Sequence, residues 1–357
     1  MSSEKASASL PRFVRGLVTP MYTPFDAQGQ IDPQGVRAMV EWIKSRRIVS
    51  TIFARCGVGK MYTYTCDEAR LMIDLVTEAR DGQIGVLTGT AGEFDGNPEH
   101  RPDAAVYLRQ TIELTKYAQA KGVDAAVLPV PLALAAPAGT PVSEVIFDFY
   151  TVVASEVDVP IFIYRMPGLP EEYEITPELL GRLMEIPNII GMKYSSTDVE
   201  AFGRLLAVCR GKRFGFICGA EHAYAPTLPL GVTGIIGGGC NTHPELIYAV
   251  QEAFVRGDKD RMAHVHEDIK RALRPWEGLS HVVMALQYLA RKGVKVQPYQ
   301  RKGKDPYGGL EHEPYSEDVV TYGERALDEI IGPYRDYVQN RCCLLYTSPS
   351  PRDRTRS

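Results

Sequence analysis

The sequence predicts a (β/α)8 (TIM) barrel carrying a C-terminal helical appendage, and three observations predict it. Short apolar, β-branched runs recur eight times between residues 16 and 238, and amphipathic stretches separate most of them. The runs lack strict alternation, which suits strands buried on both faces. No glycine-rich loop follows the first run, where a doubly wound open sheet would usually carry one; the chain reads Thr19-Pro20-Met21-Tyr22-Thr23-Pro24-Phe25 there. Alternating strand and helix implies a parallel sheet, and eight repeats over about 250 residues match a closed barrel.

The strand candidates, in order, are Gly16–Tyr22, Ser50–Ala54, Ile84–Gly89, Ala125–Pro129, Pro160–Arg165, Ile189–Lys193, Phe214–Gly219 and Gly234–Gly238. Between the first two, Pro33 to Lys44 places Val36, Met39, Val40 and Ile43 at helical spacing. Between the second and third, Asp67 to Ala79 does the same with Ala69, Leu71, Met72, Leu75 and Val76. Past Glu245 the strand signal stops. Ala249–Phe254, Met262–Leu273 and Val282–Arg291 read as helices, and Tyr322–Ile331 as another, stopped by Gly332-Pro333. Val294 to Glu317 is polar and rich in Gly and Pro, and reads as a long loop. The division is thus a flexible N-terminus (1–13), a barrel (14–248) and a helical appendage (249–340) rather than a second catalytic domain. The stretch from Cys343 to Asp353 resembles the translation of a transposase sequencing adapter, so 343–357 is set apart as an artefact, a genuine disordered tail being the alternative.

Composition excludes several classes. A net charge of −4 gives no electrostatic reason for nucleic acid or an anionic membrane as partner. The first twelve residues lack the apolar centre of a secretory signal. The most apolar stretch, Val123–Val142, contains Asp124 and four prolines and makes a poor membrane span. Seven cysteines without CxxC or Cys/His ligand spacing argue against a disulfide framework and structural zinc, and fit a reducing cytoplasm.

Barrel chemistry sits at the carboxyl ends of the strands. The sixth run ends in Gly191-Met192-Lys193-Tyr194. Burial of a lysine there favours the neutral amine, which carbonyl attack requires; a lysine turned to the rim and paired with a carboxylate is the alternative. The fifth run ends in Ile163-Tyr164-Arg165-Met166-Pro167. A phenol beside such a lysine can shuttle protons, or pack for its ring. His264 and His266, two apart on a predicted helix, do not share a face and read as solvent-facing; no metal site is expected.

These motifs resemble the dihydrodipicolinate synthase / N-acetylneuraminate lyase superfamily of class I pyruvate-type aldolases over roughly Val14 to Lys292. The resemblance rests on Thr23-Pro24-Phe25 with Ile31-Asp32, on Gly122-Val123-Asp124-Ala125, on Ile163-Tyr164-x-x-Pro167, on Gly191-Met192-Lys193, on Gly234-Ile235-Ile236 and on Asn241-x-x-Pro244. It implies that Lys193 forms an imine with an α-oxo acid, that Tyr164 transfers the proton, that Ile236 lies by the substrate, that no cofactor is needed, and that the assembly is a homotetramer of tight dimers or a dimer. Three departures stand out. The family's GTTGE loop, whose threonines hold the oxo-acid carboxylate, is Cys56-Gly57-Val58-Gly59-Lys60; backbone N–H groups of Gly57, Val58 and Gly59 are the remaining candidates to cradle it. The family's PYY is Pro131-Leu132-Ala133, which removes the tyrosine that crosses between subunits. Arg165 replaces the asparagine after Tyr164.

The expected function is a Schiff-base lyase or aldolase acting on an α-oxo acid, with an aldehyde as the second substrate, and not dihydrodipicolinate synthesis itself. A dehydratase or deaminase using the same imine, or a degraded barrel with a binding role, are the alternatives. Arg55, Lys60 and Arg165 are expected near the mouth, as binding groups for an anionic substrate or as solvated loop charges. Glu221 is expected to contact substrate hydroxyls or to be a surface carboxylate.

Overall fold

The computed structural model describes residues 10–303 and 313–345. Eight parallel strands close on one another in chain order: β1 (Gly16–Pro20), β2 (Val49–Ala54), β3 (Gly85–Gly89), β4 (Ala125–Pro129), β5 (Ile161–Arg165), β6 (Ile189–Tyr194), β7 (Gly215–Cys218) and β8 (Gly234–Ile236). Each of the eight runs holds a strand, with ends displaced by two residues at most. The interior is filled by Val18, Phe53, Leu87, Val127, Phe162 and Ile217, so the barrel is a packed core rather than a pore.

The helices on the outside are α1 (Pro33–Ser45), α2 (Cys66–Arg80), α3 (Ala104–Ala120), α4 (Val142–Ser155), α5 (Pro177–Leu183), α6 (Val199–Cys209) and α7 (Glu221–Thr227). Local chemistry sets their starts. Asp32 caps α1 by accepting from Gln34 N–H at 3.0 Å. Thr65 and Glu68 form a reciprocal capping box on α2. The apolar face read in α1 is buried against the barrel at Val36, Met39, Val40 and Ile43.

Several motif residues act as joints. Thr23 Oγ1 donates to Gly59 O at 2.8 Å and lies 2.6 Å from Tyr64 Oη, tying the end of the first βα loop to the second. Asp124 accepts from Val86 N–H and from Arg80, locking α2 to β3. Asn241 donates to the carbonyls of Pro20 and Gly238, both at 2.9 Å, so it staples the glycine loop after β8 to β1.

The appendage contains α8 (Pro244–Val255), α9 (Lys259–Leu273), α10 (His281–Arg291) and α11 (Glu317–Leu345). Two expectations change in the structure. Pro333 does not stop α11, which runs through it; proline removes one backbone donor and strains the preceding turn, but Tyr334 beyond it is buried and donates to Asp268 Oδ2 at 2.5 Å, so packing carries the helix on. Leu10 to Val14, placed by sequence partly in a flexible N-terminus, instead plugs the amino end of the barrel, with Leu10 and Val14 buried. The long loop returns across the carboxyl end: Arg301 pairs with Glu68 at 2.6 Å and donates to Gly29 O and Thr63 O. Of that loop, 304–312 lies outside the described residues, as does most of the segment read as an artefact, 346–357; the backbone of 343–345 belongs to α11. No helix among the described residues is long and apolar enough to cross a membrane.

Candidate active site

Strand register brings the two leading residues together. β5 and β6 pair with Tyr164 opposite Lys193, so both side chains point inward at one level. Both are 1% exposed. Lys193 Nζ lies 4.4 Å from the centroid of the Tyr164 ring. The Phe53 ring stands edge-on to Tyr164, with centroids 6.0 Å apart, and backs the pair. Gly219, at the end of β7, leaves the room Lys193 needs: a Cβ there would lie 3.0 Å from Lys193 Cε and 2.9 Å from Ser195 Cα.

Lys193 lines a cavity of about 310 Å3 at the carboxyl end of the barrel. That is the low end of the range for small-molecule sites. Val58 from the β2 loop and Ile236 from β8 line it too. Glu221 and the Gly237-Gly238-Gly239 loop form one wall, and the appendage closes another with Leu273, Trp276 and Val282. The appendage is therefore part of the site, which helical periodicity alone could not show.

Glu221 is not a surface carboxylate. It is buried at the first position of α7, and its Oε1 accepts from Gly239 N–H at 2.6 Å. Its Oε2 stands 3.8 Å from His243 Nε2. Burial alone would raise the Glu221 pKa, but the His243 side chain and the Gly239 N–H outweigh it and hold the carboxyl below its ordinary range. His243 is buried, with its Nδ1 2.9 Å from Thr242 Oγ1. Sequence reasoning missed His243, although it sits inside the Asn241-x-x-Pro244 motif; one histidine between Thr242 and Pro244 carries no signal of what it faces. His222 and His281 also line the cavity and were missed for the same reason.

The three cations do not converge on the cavity. Arg55 is buried and donates to Ala91 O at 2.6 Å and Gly89 O at 3.3 Å; it borders a separate narrow gap behind Tyr164 and Phe53. Lys60 is buried and reaches Gly303 O at 3.1 Å. Arg165 follows inward-facing Tyr164 and so points outward, where it donates to Ser195 O at 2.7 Å and pairs twice with Glu174. None of the three is a solvated loop charge, and none lines the Lys193 cavity among the described residues. In the β2 loop, Gly59 N–H already donates to Cys56 O at 3.1 Å, closing a turn. Among the described residues, no such backbone acceptor is found for the Gly57 and Val58 N–H groups.

Elsewhere, His264 is exposed beside Asp268, while His266 is half-buried rather than solvent-facing. No group of three or more metal-ligating side chains is found among the described residues.

Residues 13–321 match the dihydrodipicolinate synthetase family. The chain belongs to that family. Its members are class I, Schiff-base aldolases and lyases, and this chain is such an enzyme. The 4-hydroxy-tetrahydrodipicolinate synthase of Thermus thermophilus is 30% identical over 258 residues, covering 71% of this chain and 78% of its own. That of Methanothrix thermoacetophila is 27% identical over 253 residues, with 71% and 78% covered. Among solved structures, N-acetylneuraminate lyase from Mycoplasma synoviae superposes with a TM-score of 0.74 at 22% identity, covering 90% of this chain and 99% of that one. A prophage protein of the dihydrodipicolinic acid synthase family from E. coli K12, solved with pyruvate, has a TM-score of 0.72 at 22% identity, covering 88% and 98%.

Proposed function

We propose that this enzyme cleaves or forms a carbon–carbon bond next to an α-oxo acid held as an imine on Lys193. One observation carries the reading: Lys193 is buried at the base of a ligand-sized cavity and faces the Tyr164 ring across paired strands. The amine attacks the oxo carbon, water leaves, and the protonated imine accepts the electron pair of the breaking bond. Tyr164 moves the proton. The oxo-acid carboxylate sits against the Gly57 and Val58 N–H groups, and Val58 at the cavity wall supports that placement. This chemistry draws on no metal or organic cofactor.

The substrate differs from that of the named synthases. Gly57 and Val58 carry no hydroxyl, and Ala133 carries no phenol, so two members of the proton relay that the family resemblance implies are missing. A homo-oligomer built on the family pattern would then serve stability rather than proton transfer.

The test is incubation with pyruvate and borohydride, read by intact mass and peptide mapping. A reduced pyruvyl adduct on Lys193 is expected, absent in Lys193→Ala. An adduct that survives in Lys193→Ala, or maps to another lysine, overturns the assignment. A dehydratase working through the same imine would show the same adduct but release water without splitting the carbon chain.

A further inference from the structure

Arg55 is a buried cation that the fold leaves without an anion. It follows β2 directly, is 4% exposed, and holds a left-handed backbone, φ 48°, that glycine adopts far more readily. Gly89 on β3 makes room for it: a Cβ there would lie 2.5 Å from Arg55 O. Arg55 Nη1 donates to Gly89 O and Ala91 O, but its Nε is buried and makes no hydrogen bond. Among the described residues no carboxylate pairs with it; Glu93 attracts it without forming an ion pair and itself accepts from Cys66 N–H at 2.7 Å. A buried polar group left unsatisfied calls for a partner, and a guanidinium does not escape by losing its proton. Arg55 and Tyr164 line the same gap of about 10 Å3, room for about one water. Tyr62 and Tyr107 line it too. Tyr62 Oη donates to Met166 Sδ at 2.6 Å, and burial pushes both phenols far above their ordinary value, so they stay protonated. β4 faces the gap with the apolar Val127 and Pro129. The titratable groups around Tyr164 are thus Arg55 from β2, Lys193 from β6 and two neutral phenols, with no carboxylate among the described residues that line the gap. Negative charge on Tyr164 is favoured there.

We propose that Arg55 is a positioning residue for the Tyr164 proton: its guanidinium, set at the same one-water gap, stabilises the Tyr164 phenolate that takes the proton from the carbon next to the Lys193 iminium. The proposal rests on the imine reading above. In that step the phenolate oxygen takes the proton, the C–H pair becomes the C=C bond of the enamine, and the C=N π pair moves to nitrogen. The reverse step returns the proton to carbon and restores the iminium and the phenolate. The charge of Arg55 is fixed, so it acts on the phenolate without exchanging a proton itself. Arg55 does not line the Lys193 cavity among the described residues, so it acts through Tyr164 and not on the substrate. Such a cation takes the place of the relay hydroxyls that Val58 and Ala133 lack: it supports the proton-accepting form of Tyr164 by charge where the family resemblance implies a hydrogen-bonded chain.

The experiment follows deuterium uptake into the methyl group of pyruvate in heavy water, as a function of pH, so that no second substrate is needed. Removing the cation raises the affinity of the phenolate for its proton. In Arg55→Met the acid limb of the rate profile should therefore move to higher pH by at least about one unit, with KM for pyruvate little changed and borohydride trapping on Lys193 retained. Arg55→Lys, which keeps the charge, should bring the limb back toward the wild type. A lower thermal midpoint with the profile in place would make Arg55 merely structural and overturn the proposal. So would a limb that moves when chloride is exchanged for gluconate at equal ionic strength, since the gap would then hold a monatomic anion. Should Arg55→Met fail to fold, the tyrosinate absorbance of the wild type minus that of Tyr164→Phe decides: ionisation of Tyr164 below about 10, the ordinary phenol value, is expected, and ionisation at or above it overturns the proposal. Trapping in the wild type without deuterium uptake refutes this inference alone; absence of trapping in the wild type refutes the imine reading and this inference with it.

Discussion

At the residue scale, the site is decided by which way neighbouring side chains point. Tyr164 and Arg165 are adjacent on β5, and strand alternation sends one inward and the other outward. Tyr164→Phe should lower kcat by about 10²–10⁴-fold, the usual worth of a positioned acid–base group, while pyruvate trapping on Lys193 survives because the amine is untouched. Arg165→Ala should act in the opposite sense: it breaks the pairs with Glu174 and Ser195 O, lowers the thermal midpoint, and leaves KM for pyruvate unchanged in steady-state assays. A marked KM rise in Arg165→Ala would mean that the cation reaches the substrate after all. Val58→Thr adds a hydroxyl of nearly the same shape at the cavity wall, and a lower KM for pyruvate is the expected result, since a hydrogen bond to a charged group is worth roughly 1.5–3 kcal/mol.

At the element scale, caps and breaks can be tested without touching the chemistry. The Thr65 side chain accepts from Glu68 N–H at 3.2 Å while Glu68 reaches back to Thr65 N–H at 3.0 Å. Thr65→Ala removes half of this box and should cost about 1 kcal/mol in chemical denaturation. Pro333, exposed within α11, works the other way. Pro333→Ala restores a backbone donor, and the intrinsic difference between the two residues inside a helix is about 3 kcal/mol, so hydrogen exchange in α11 should slow. The eight strands and the first two helices were legible in the sequence because runs buried on both faces and helical apolar stripes are local patterns. The reach of α11 was not, because Tyr334 holds it through Asp268 on α9, a contact distant in the chain.

At the scale of the whole molecule, the appendage and the returning loop close the carboxyl end of the barrel. Lys292, the residue that caps the end of α10, pairs with Glu324 and Asp328 of α11 at 2.7 and 2.6 Å, and Arg301 pairs with Glu68 at the start of α2. These contacts couple stability to pH. Burial alone would raise the carboxyls of Glu68, Glu221 and Asp328, but their partners, Arg301, His243 and Lys292 foremost, hold all three below their ordinary values. Burial pushes the His266 and His281 imidazoles below their ordinary 6.5. In both classes the folded state holds its protons less tightly than the unfolded chain, so the unfolded chain takes up more protons as pH falls. The histidine contribution is complete above about pH 6.5 and is lost as pH drops through the folded values; the carboxylates add to the loss below about pH 4.5. The thermal midpoint should thus hold above about pH 6.5 and fall on acidification below it, and His281→Gln should flatten the upper part of that fall. A midpoint that rises between pH 7 and 5 contradicts this account.

The sequence by itself determined the barrel, the strand order and the pairing of Lys193 with Tyr164, because each rests on local periodicity and on motifs at strand ends. It also marked Glu221, Ile236 and Val58 as residues at the carboxyl end, which the cavity then collected. Only the tertiary structure decided what these residues face. Arg55, Lys60 and Arg165 looked alike as loop cations, yet each is drawn to backbone carbonyls or to a carboxylate away from the cavity, since a buried charge must find partners wherever the fold provides them. His243 and the appendage wall came from segments that carry no catalytic signature; closure of the barrel and the folding back of α9 and α10 set them opposite Lys193. Side-chain direction within a strand follows from alternation, but the meeting of distant segments depends on packing, and packing is a property of the folded chain alone.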